Sequence, residues 1–391
     1  MKKKVLFLFH DSNPLSGATA SMLEVVIRLN TKAGYEVLAL IPNTKLGLHD
    51  ELSSQGIKYF EETIYGVRHD RSKANILTKK LKSFLAIILN FCLAIKLVIK
   101  KEKFDLIYTN TSDIYIGAFL SKLIKVKHIW HVREFGVEDQ NMSHFFGERG
   151  FYKLLNLTSS KVIVISNALK SKLNSFSVPE NKIEMIYNDV TSRAEVDNKI
   201  FNEQNELSLL IVGSIIDGKG HKFVIDCIAY MKSINLKVKL GIVGRDSGDY
   251  AVYLKRYMKQ IGCEDRGDFL GYSSDVGNIR KDYDIAVVAS KSEAFGRVTV
   301  EAMQSKMTVV ASDCGANPEL IENGKNGFLF EYGNIQEFAR TISSLDKKRC
   351  LLEATGTQAH KDSSKFSSGQ ASNKIHQVIC EMLDYNGISK A

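Results

Sequence analysis

Two glutamates, Glu293 and Glu301, stand eight residues apart in the stretch SKSEAFGRVTVEAMQSKMTVVASDCGANPELI, residues 290–321. The stretch follows the apolar run IAVVA. Residues 290–296 should therefore form a loop at the carboxyl edge of a sheet, and 297–305 a helix. One carboxylate then lies on the loop and the other a little over a turn into the helix, so both can face one ligand. Between them the N–H groups of Phe295, Gly296, Arg297 and Val298 sit at a helix N-terminus, where anions are favoured. Carboxylates accept hydrogen bonds from vicinal diols while amides hold phosphate, which suits a ligand carrying both hydroxyls and a diphosphate. Acidic residues placed only for the helix dipole would explain one glutamate, but not the whole run with Ala-Phe-Gly between them.

Such a loop needs a sheet to carry it, and strand-like apolar runs alternate with helical patterns along the whole chain. Strands are expected at 5–9, 36–41, 106–108, 128–131 and 162–165. After a polar stretch near 189–206, a second series is expected at 209–212, 239–243, 268–270, 285–289, 309–311 and 328–330. The reading is α/β, with two doubly wound domains. Residues 1–188 form the first and 189–369 the second, and a final helix at about 370–391 packs back on the first. Each series opens with a strand, a glycine-bearing turn and a helix: LSGATAS (15–21) in one, GSIIDGKG (213–220) in the other. Glycine lets backbone approach a ligand, and helix N–H groups bind phosphate.

Bulk properties narrow the class. The 391 residues exceed one ordinary core, and 44% hydrophobic with 25% charged residues is a globular balance. Residues 1–190 hold 27 Lys+Arg against 18 Asp+Glu, so the whole net charge of +9 lies there and the rest is neutral. The first half is thus suited to an anionic neighbour. The six cysteines form no CxxC pair and read as reduced core residues of a cytosolic protein. Metal-ligand spacing is absent, so no metal is expected. The apolar run at 5–9 is shorter than the roughly seven residues a signal sequence needs, and it reads as a buried strand.

Residues 81–99 are apolar at 15 of 19 positions, broken by Lys82, Asn90 and Lys96. Lys82, Lys96 and Lys100 fall within about 40° of one another on a helical wheel. The expected element is an amphipathic helix whose Leu85, Ile88, Phe91 and Ile95 pack on the first sheet. The competing expectation is an in-plane contact with an anionic membrane.

With these residues in view, the chain resembles glycosyltransferase family 4: retaining enzymes of two facing Rossmann-like domains, the GT-B arrangement, with an interdomain cleft. The E-x7-E signature is matched by Glu293-Ala-Phe-Gly-Arg and Glu301-Ala-Met, followed by SDCGANPELI and NGFLF. VGSIIDGKG resembles the family's phosphate loop, IVGRDSG its next strand-loop, and DFLGY its base-binding segment. IWHVREF resembles the strand end with the active-site histidine, and VIVISNALK with IYNDV the entry to the linker. The resemblance implies that Glu301 binds ribose, Glu293 the donor sugar, and Phe295 and Gly296 the sugar or diphosphate through their N–H groups. Lys219 would neutralise the diphosphate in place of a metal, and His131 would contact the sugar near the reacting centre. Gly17, Gly213, Gly244, Arg297 and Tyr272 would complete the donor site. Ser214 departs from the family, which places an arginine there, so a bidentate cation is lost and Lys219, Arg297 or Arg245 must carry more of the charge.

The implied activity is metal-independent, retaining transfer of a hexose-type sugar from a UDP- or GDP-linked donor. The acceptor would be a saccharide or lipid-linked saccharide of a cell-surface polysaccharide. No other cofactor and no nucleic acid is expected, and the place is the cytoplasm or the inner membrane face. Two alternatives share the architecture: an inactive glycan- or membrane-binding homologue, and a nucleotide-sugar epimerase. A dehydrogenase is disfavoured, because LSGATAS lacks a well-formed G-x-G-x-x-G.

Overall fold

A computed structural model describes residues 2–32, 35–72, 75–191 and 206–384. Most of the polar stretch near 189–206, and the last residues of the expected C-terminal helix, lie outside the described residues. The chain forms two compact units, one of residues 1–189 and 369–391, the other of 190–368.

The first unit is built on a seven-stranded sheet. Its order is Lys58–Glu62, Tyr35–Pro42, Lys3–Leu8, Leu106–Asn110, Lys127–Val132, Lys161–Val164 and Ile183–Met185, and every pairing is parallel. Alternation along Lys3–Leu8 explains its unbroken apolar sequence. Val5 and Phe7 enter a core shared with the helices Gly17–Asn30 and Gln370–Met382. Leu6 and Leu8 enter another, shared with Ile76–Ile99 and Ile116–Ile124. Both faces are covered, as parallel sheets require. The helix Gln370–Met382 seats Ala371, Ile375 and Ile379 in the first core, and Tyr35 Oη lies 3.0 Å from His376 Nδ1.

The second unit holds a six-stranded parallel sheet in the order Gly267–Gly271, Val238–Val243, Leu207–Val212, Ile285–Val288, Thr308–Ser312 and Phe328–Phe330. Four short strands escape the sequence reading: Lys58–Glu62, Arg68–Asp70, Met142–His144 and Ile183–Met185. The first and last are sheet edges and the other two pair only with each other, so none carries a long apolar run.

The helix Ile76–Ile99 corrects an expectation. Leu85, Ile88, Phe91 and Ile95 do not pack on the sheet; they are 48%, 42%, 42% and 37% exposed. The inward stripe is Ser83, Ala86, Asn90, Leu93, Ala94 and Leu97. Asn90 turns inward because loop backbone needs it. Its Nδ2 donates to Tyr65 O at 2.9 Å, its Oδ1 accepts from Tyr115 N at 2.9 Å, and Ser83 Oγ donates to Val67 O. Small and polar residues thus share the buried face with Leu93 and Leu97, while Leu85, Ile88, Phe91 and Ile95 face outward. Cysteine burial is corrected as well: Cys227, Cys263 and Cys380 are buried, but Cys92 and Cys350 are exposed and Cys314 is half-buried. All six are free.

His128, buried in the first sheet, gives the first unit an acid weakness. Its Nε2 meets Thr109 Oγ1 at 2.8 Å and its Nδ1 meets Thr158 O at 3.3 Å. Burial pushes its pKa down to about 3. The unfolded chain binds one proton more between about 6.5 and 3, so stability is lost as pH falls through that window. One proton is worth about 1.4 kcal/mol per pH unit, hence about 2 kcal/mol by pH 5. Below pH 6 buried Asp139 offsets part of this, because desolvation raises its carboxyl to about 6 and the folded state then holds the extra proton. Urea unfolding at pH 7 and pH 5 should show a lower midpoint in acid, with a shallower dependence in His128→Asn.

Candidate functional site

The glutamates of the second unit sit where its sheet ends. After Ile285–Val288 the chain forms the loop 289–296, then the helix Arg297–Gln304. Gly296 caps that helix at φ 93°, a left-handed conformation natural only to glycine. Neighbouring loops hold the glutamate loop closely. A Cβ on Gly220 would lie 1.8 Å from Ala289 O, and one on Gly315 2.3 Å from Glu293 O. Lys291 N donates to Gly218 O at 2.9 Å, Ala316 N to Glu293 O at 2.7 Å, and Ser312 Oγ to Ser290 O at 2.7 Å. Two neighbouring glycine-bearing turns, together with Ser312 Oγ, therefore fix one short loop.

Onto this frame the fold brings Lys219 and Glu293, 74 residues apart in sequence. Lys219 Nζ lies 2.8 Å from Glu293 Oε2, and the same oxygen accepts from Ser290 Oγ at 2.8 Å. Lys219 ends a short turn directly before the helix His221–Ser233, so a cation and a helix N-terminus adjoin. Glu301 has its own cations: Arg280 Nη2 donates to Oε2 at 2.8 Å and Arg297 Nε to Oε1 at 3.1 Å. The sequence reading missed Arg280, a buried residue of the helix Val276–Lys281 that no motif marks. It also left Ser290 without a role.

The other expected positions have separate places in this unit. Gly213, at φ 144°, and Gly244 cross closely, for a Cβ on Gly244 would lie 2.1 Å from Gly213 O. Ser214 is exposed, with its carbonyl taken by Ile216 N. Phe295 is buried, its ring edge-on to Phe366 at 5.7 Å. Tyr272 is exposed beyond the strand Gly267–Gly271, and no hydrogen bond or ion pair joins it to either glutamate among the described residues. Among the described residues, no group of three or more His, Cys, Asp or Glu is placed to hold a metal ion.

In the first unit, Gly17 opens the helix Gly17–Asn30, and a Cβ there would meet nothing within 4 Å. His131 is buried near the carboxyl end of Lys127–Val132. Its Nδ1 lies 2.7 Å from Tyr108 Oη and 3.2 Å from Arg133 Nη2. Arg133, also buried, donates to Asn110 Oδ1 and Asn188 Oδ1, both at 2.5 Å. Asn110 Nδ2 in turn donates to Ala18 O at 3.1 Å, which ties the Gly17 turn to the histidine. Burial, aided by the Arg133 charge, holds the imidazole well below its ordinary pKa.

Comparison with known proteins bears on the family and the fold. A family described as Glycosyltransferase Family 4 matches residues 15–191, and one described as Glycosyl transferases group 1 matches 192–362. An uncharacterized glycosyltransferase of Methanocaldococcus jannaschii is 27% identical over 74% of this chain and 79% of its own. The Escherichia coli UDP-Gal:alpha-D-GlcNAc-diphosphoundecaprenol alpha-1,3-galactosyltransferase is 23% identical over 73% of this chain and 78% of its own. Among solved structures, Anabaena HepE in complex with UDP and glucose superposes with a TM-score of 0.75 at 22% identity, over 97% of this chain and 100% of that one. The protein is a member of glycosyltransferase family 4, and its two parallel-sheet units have the GT-B fold.

Proposed function

We propose that the protein transfers a hexose-type sugar, with retention and without a metal, from a nucleotide-sugar to a saccharide or lipid-linked saccharide acceptor in cell-surface polysaccharide synthesis. The second unit takes the donor and the first the acceptor. One observation carries the reading: Lys219 and Glu293 meet at 2.8 Å on a glycine-fixed loop that leads into the helix carrying Glu301. Lys219 and the helix N–H groups stabilise the departing diphosphate, while Glu293 holds sugar hydroxyls and Glu301 the ribose. Departure gives an oxocarbenium-like centre, and the acceptor hydroxyl attacks from the face that the diphosphate leaves, giving its proton to a departing diphosphate oxygen. The UDP-Gal in the name of the Escherichia coli relative and the UDP bound to HepE favour a uridine base over guanosine.

Thermal stabilisation by a panel of nucleotide-sugars tests the donor, since ligand at 100 times Kd adds about 2.7 kcal/mol. With the stabilising donor, release of nucleoside diphosphate should survive EDTA, and the product should keep the donor's anomeric configuration. Loss on chelation with rescue by magnesium or manganese would remove the metal-independent part. Exposed Ser214 favours one second reading, an inactive binding homologue, which would be stabilised by donor yet release no diphosphate.

Support for an acceptor at the inner membrane face comes from the outward side of Ile76–Ile99, a helix long and apolar enough to cross a membrane by length and composition. Its exposed Leu85, Ile88, Phe91 and Ile95 are accompanied by the exposed lysines Lys80, Lys82, Lys101 and Lys103. Lys96 and Lys100 are occupied by Glu62, at 2.7 and 2.8 Å. Each lysine near an anionic surface contributes about 1 kcal/mol, screened by salt, whereas apolar insertion is not screened. In vesicle flotation, binding should need anionic lipid. It should fall when Lys82, Lys101 and Lys103 become Glu, and when Ile88 and Ile95 become Ser. A protein wholly in the soluble fraction at low salt would rule the membrane out and favour a soluble acceptor.

A further inference from the structure

We infer that Arg133 and Tyr108 hold His131 as its Nε2–H tautomer, making the imidazole a hydrogen-bond donor to a ligand oxygen rather than a base or a nucleophile. A guanidinium carries only donors and never loses its proton in proteins. Arg133 Nη2, 3.2 Å from His131 Nδ1, therefore faces a lone pair and not an N–H. Tyr108 Oη, 2.7 Å from the same nitrogen, then donates to it as well. The tyrosine is fully buried, and burial raises its hydroxyl pKa, so the proton stays on the oxygen.

With Nδ1 occupied as an acceptor, the ring proton of the neutral imidazole belongs on Nε2. That nitrogen is buried and has no partner among the described residues. A buried, unsatisfied N–H is unfavourable, and an incoming oxygen relieves it. The arrangement is braced: Arg133 is fixed by Asn110 and Asn188, and Tyr108 packs on Phe7 at 5.0 Å between ring centroids. Tyr108, from the neighbouring strand, and Arg133 are the titratable or charged groups that face the ring among the described residues. Tyr108 and Arg133 are positioning residues, acting on the ligand only through His131. An Nε2 that already bears a proton cannot take one from the acceptor hydroxyl, and the capped Nδ1 cannot attack carbon. The inference rests on the proposed reading only for the identity of the oxygen, which would be a sugar hydroxyl.

Nitrogen-15 NMR of the whole protein, labelled at histidine, reads the tautomer without any substrate. At pH 7 the His131 signals should be those of an unprotonated Nδ1 and a protonated Nε2. A protonated Nδ1, or a doubly protonated ring, overturns the inference. Tyr108→Phe removes one hydroxyl and keeps the ring. It should mix the tautomers and lower turnover about two- to tenfold, the worth of one hydrogen bond. Arg133→Gln replaces a donor-only guanidinium with an amide that can also accept, and should let an Nδ1–H signal appear for His131, which a merely structural role would not do. His131→Gln, which keeps an N–H donor near the Nε2 position, should retain more activity than His131→Ala. Equal inactivity of the two would overturn the donor role. If no nucleotide-sugar is turned over, the proposed function fails, while NMR still decides the tautomer.

Discussion

Replacing Glu293 with alanine should lower turnover by about 10²–10³, or roughly 2.7–4 kcal/mol, the scale of losing one preorganised group at a developing charge. The carboxylate holds Lys219 at 2.8 Å and Ser290 Oγ at 2.8 Å, both at the carboxyl edge of the second sheet. Without it, the ammonium loses a partner that aims it, and the donor sugar loses a charged acceptor for its hydroxyls. The loop itself should survive, because its closest contacts are backbone ones: Ala316 N on Glu293 O, and Gly315 against the Glu293 backbone. Glu293→Gln keeps one carbonyl acceptor but no charge, and should fall between wild type and alanine. Steady-state release of nucleoside diphosphate, with the melting temperature as a folding control, measures this. Wild-type kcat in the alanine variant would remove Glu293 from the site.

For Glu301→Ala, the expected loss is in donor affinity rather than rate. Charge-assisted hydrogen bonds contribute about 1.5–3 kcal/mol, which corresponds to a Kd roughly 10- to 150-fold higher. Arg280 and Arg297 already bond one oxygen each. They fix the carboxylate plane, and its remaining lone pairs are those that can take the two hydroxyls of a ribose. Arg280 is buried, so the alanine variant also leaves a buried guanidinium short of its counter-charge. Glu301→Gln separates the two effects, since the amide keeps the shape and removes only the charge. Calorimetric titration with nucleoside diphosphate and with the free phosphates alone completes the test. A ribose contact predicts that affinity for the nucleotide falls while inorganic diphosphate binds as before. An unchanged nucleotide Kd would sink the assignment.

The alternation of apolar runs with helical patterns was enough to determine two parallel-sheet layers, because strands buried on both faces must be apolar almost throughout. Val5–Leu8 and Ile285–Val288 show this, with residues sent to both sides of their sheets. The spacing from Glu293 to Glu301 and the glycines at 213, 220 and 296 were equally legible, since turn chemistry and helix starts are local properties. Edge strands such as Ile183–Met185 were not legible, for half of their surroundings is solvent and their sequence carries no pattern.

Only the tertiary structure decided who meets whom. Periodicity gave the helix Ile76–Ile99 its stripes, but it could not say that Ser83 and Asn90 would turn inward to satisfy the backbone of residues 65–67 and Tyr115. That choice left Leu85, Ile88, Phe91 and Ile95 on the outward side. Nor could any local rule bring Arg280 to Glu301, or Tyr108 and Arg133 to one nitrogen of His131. Those contacts depend on strand order and on which buried polar groups still lack a partner, both of which are properties of the whole folded unit.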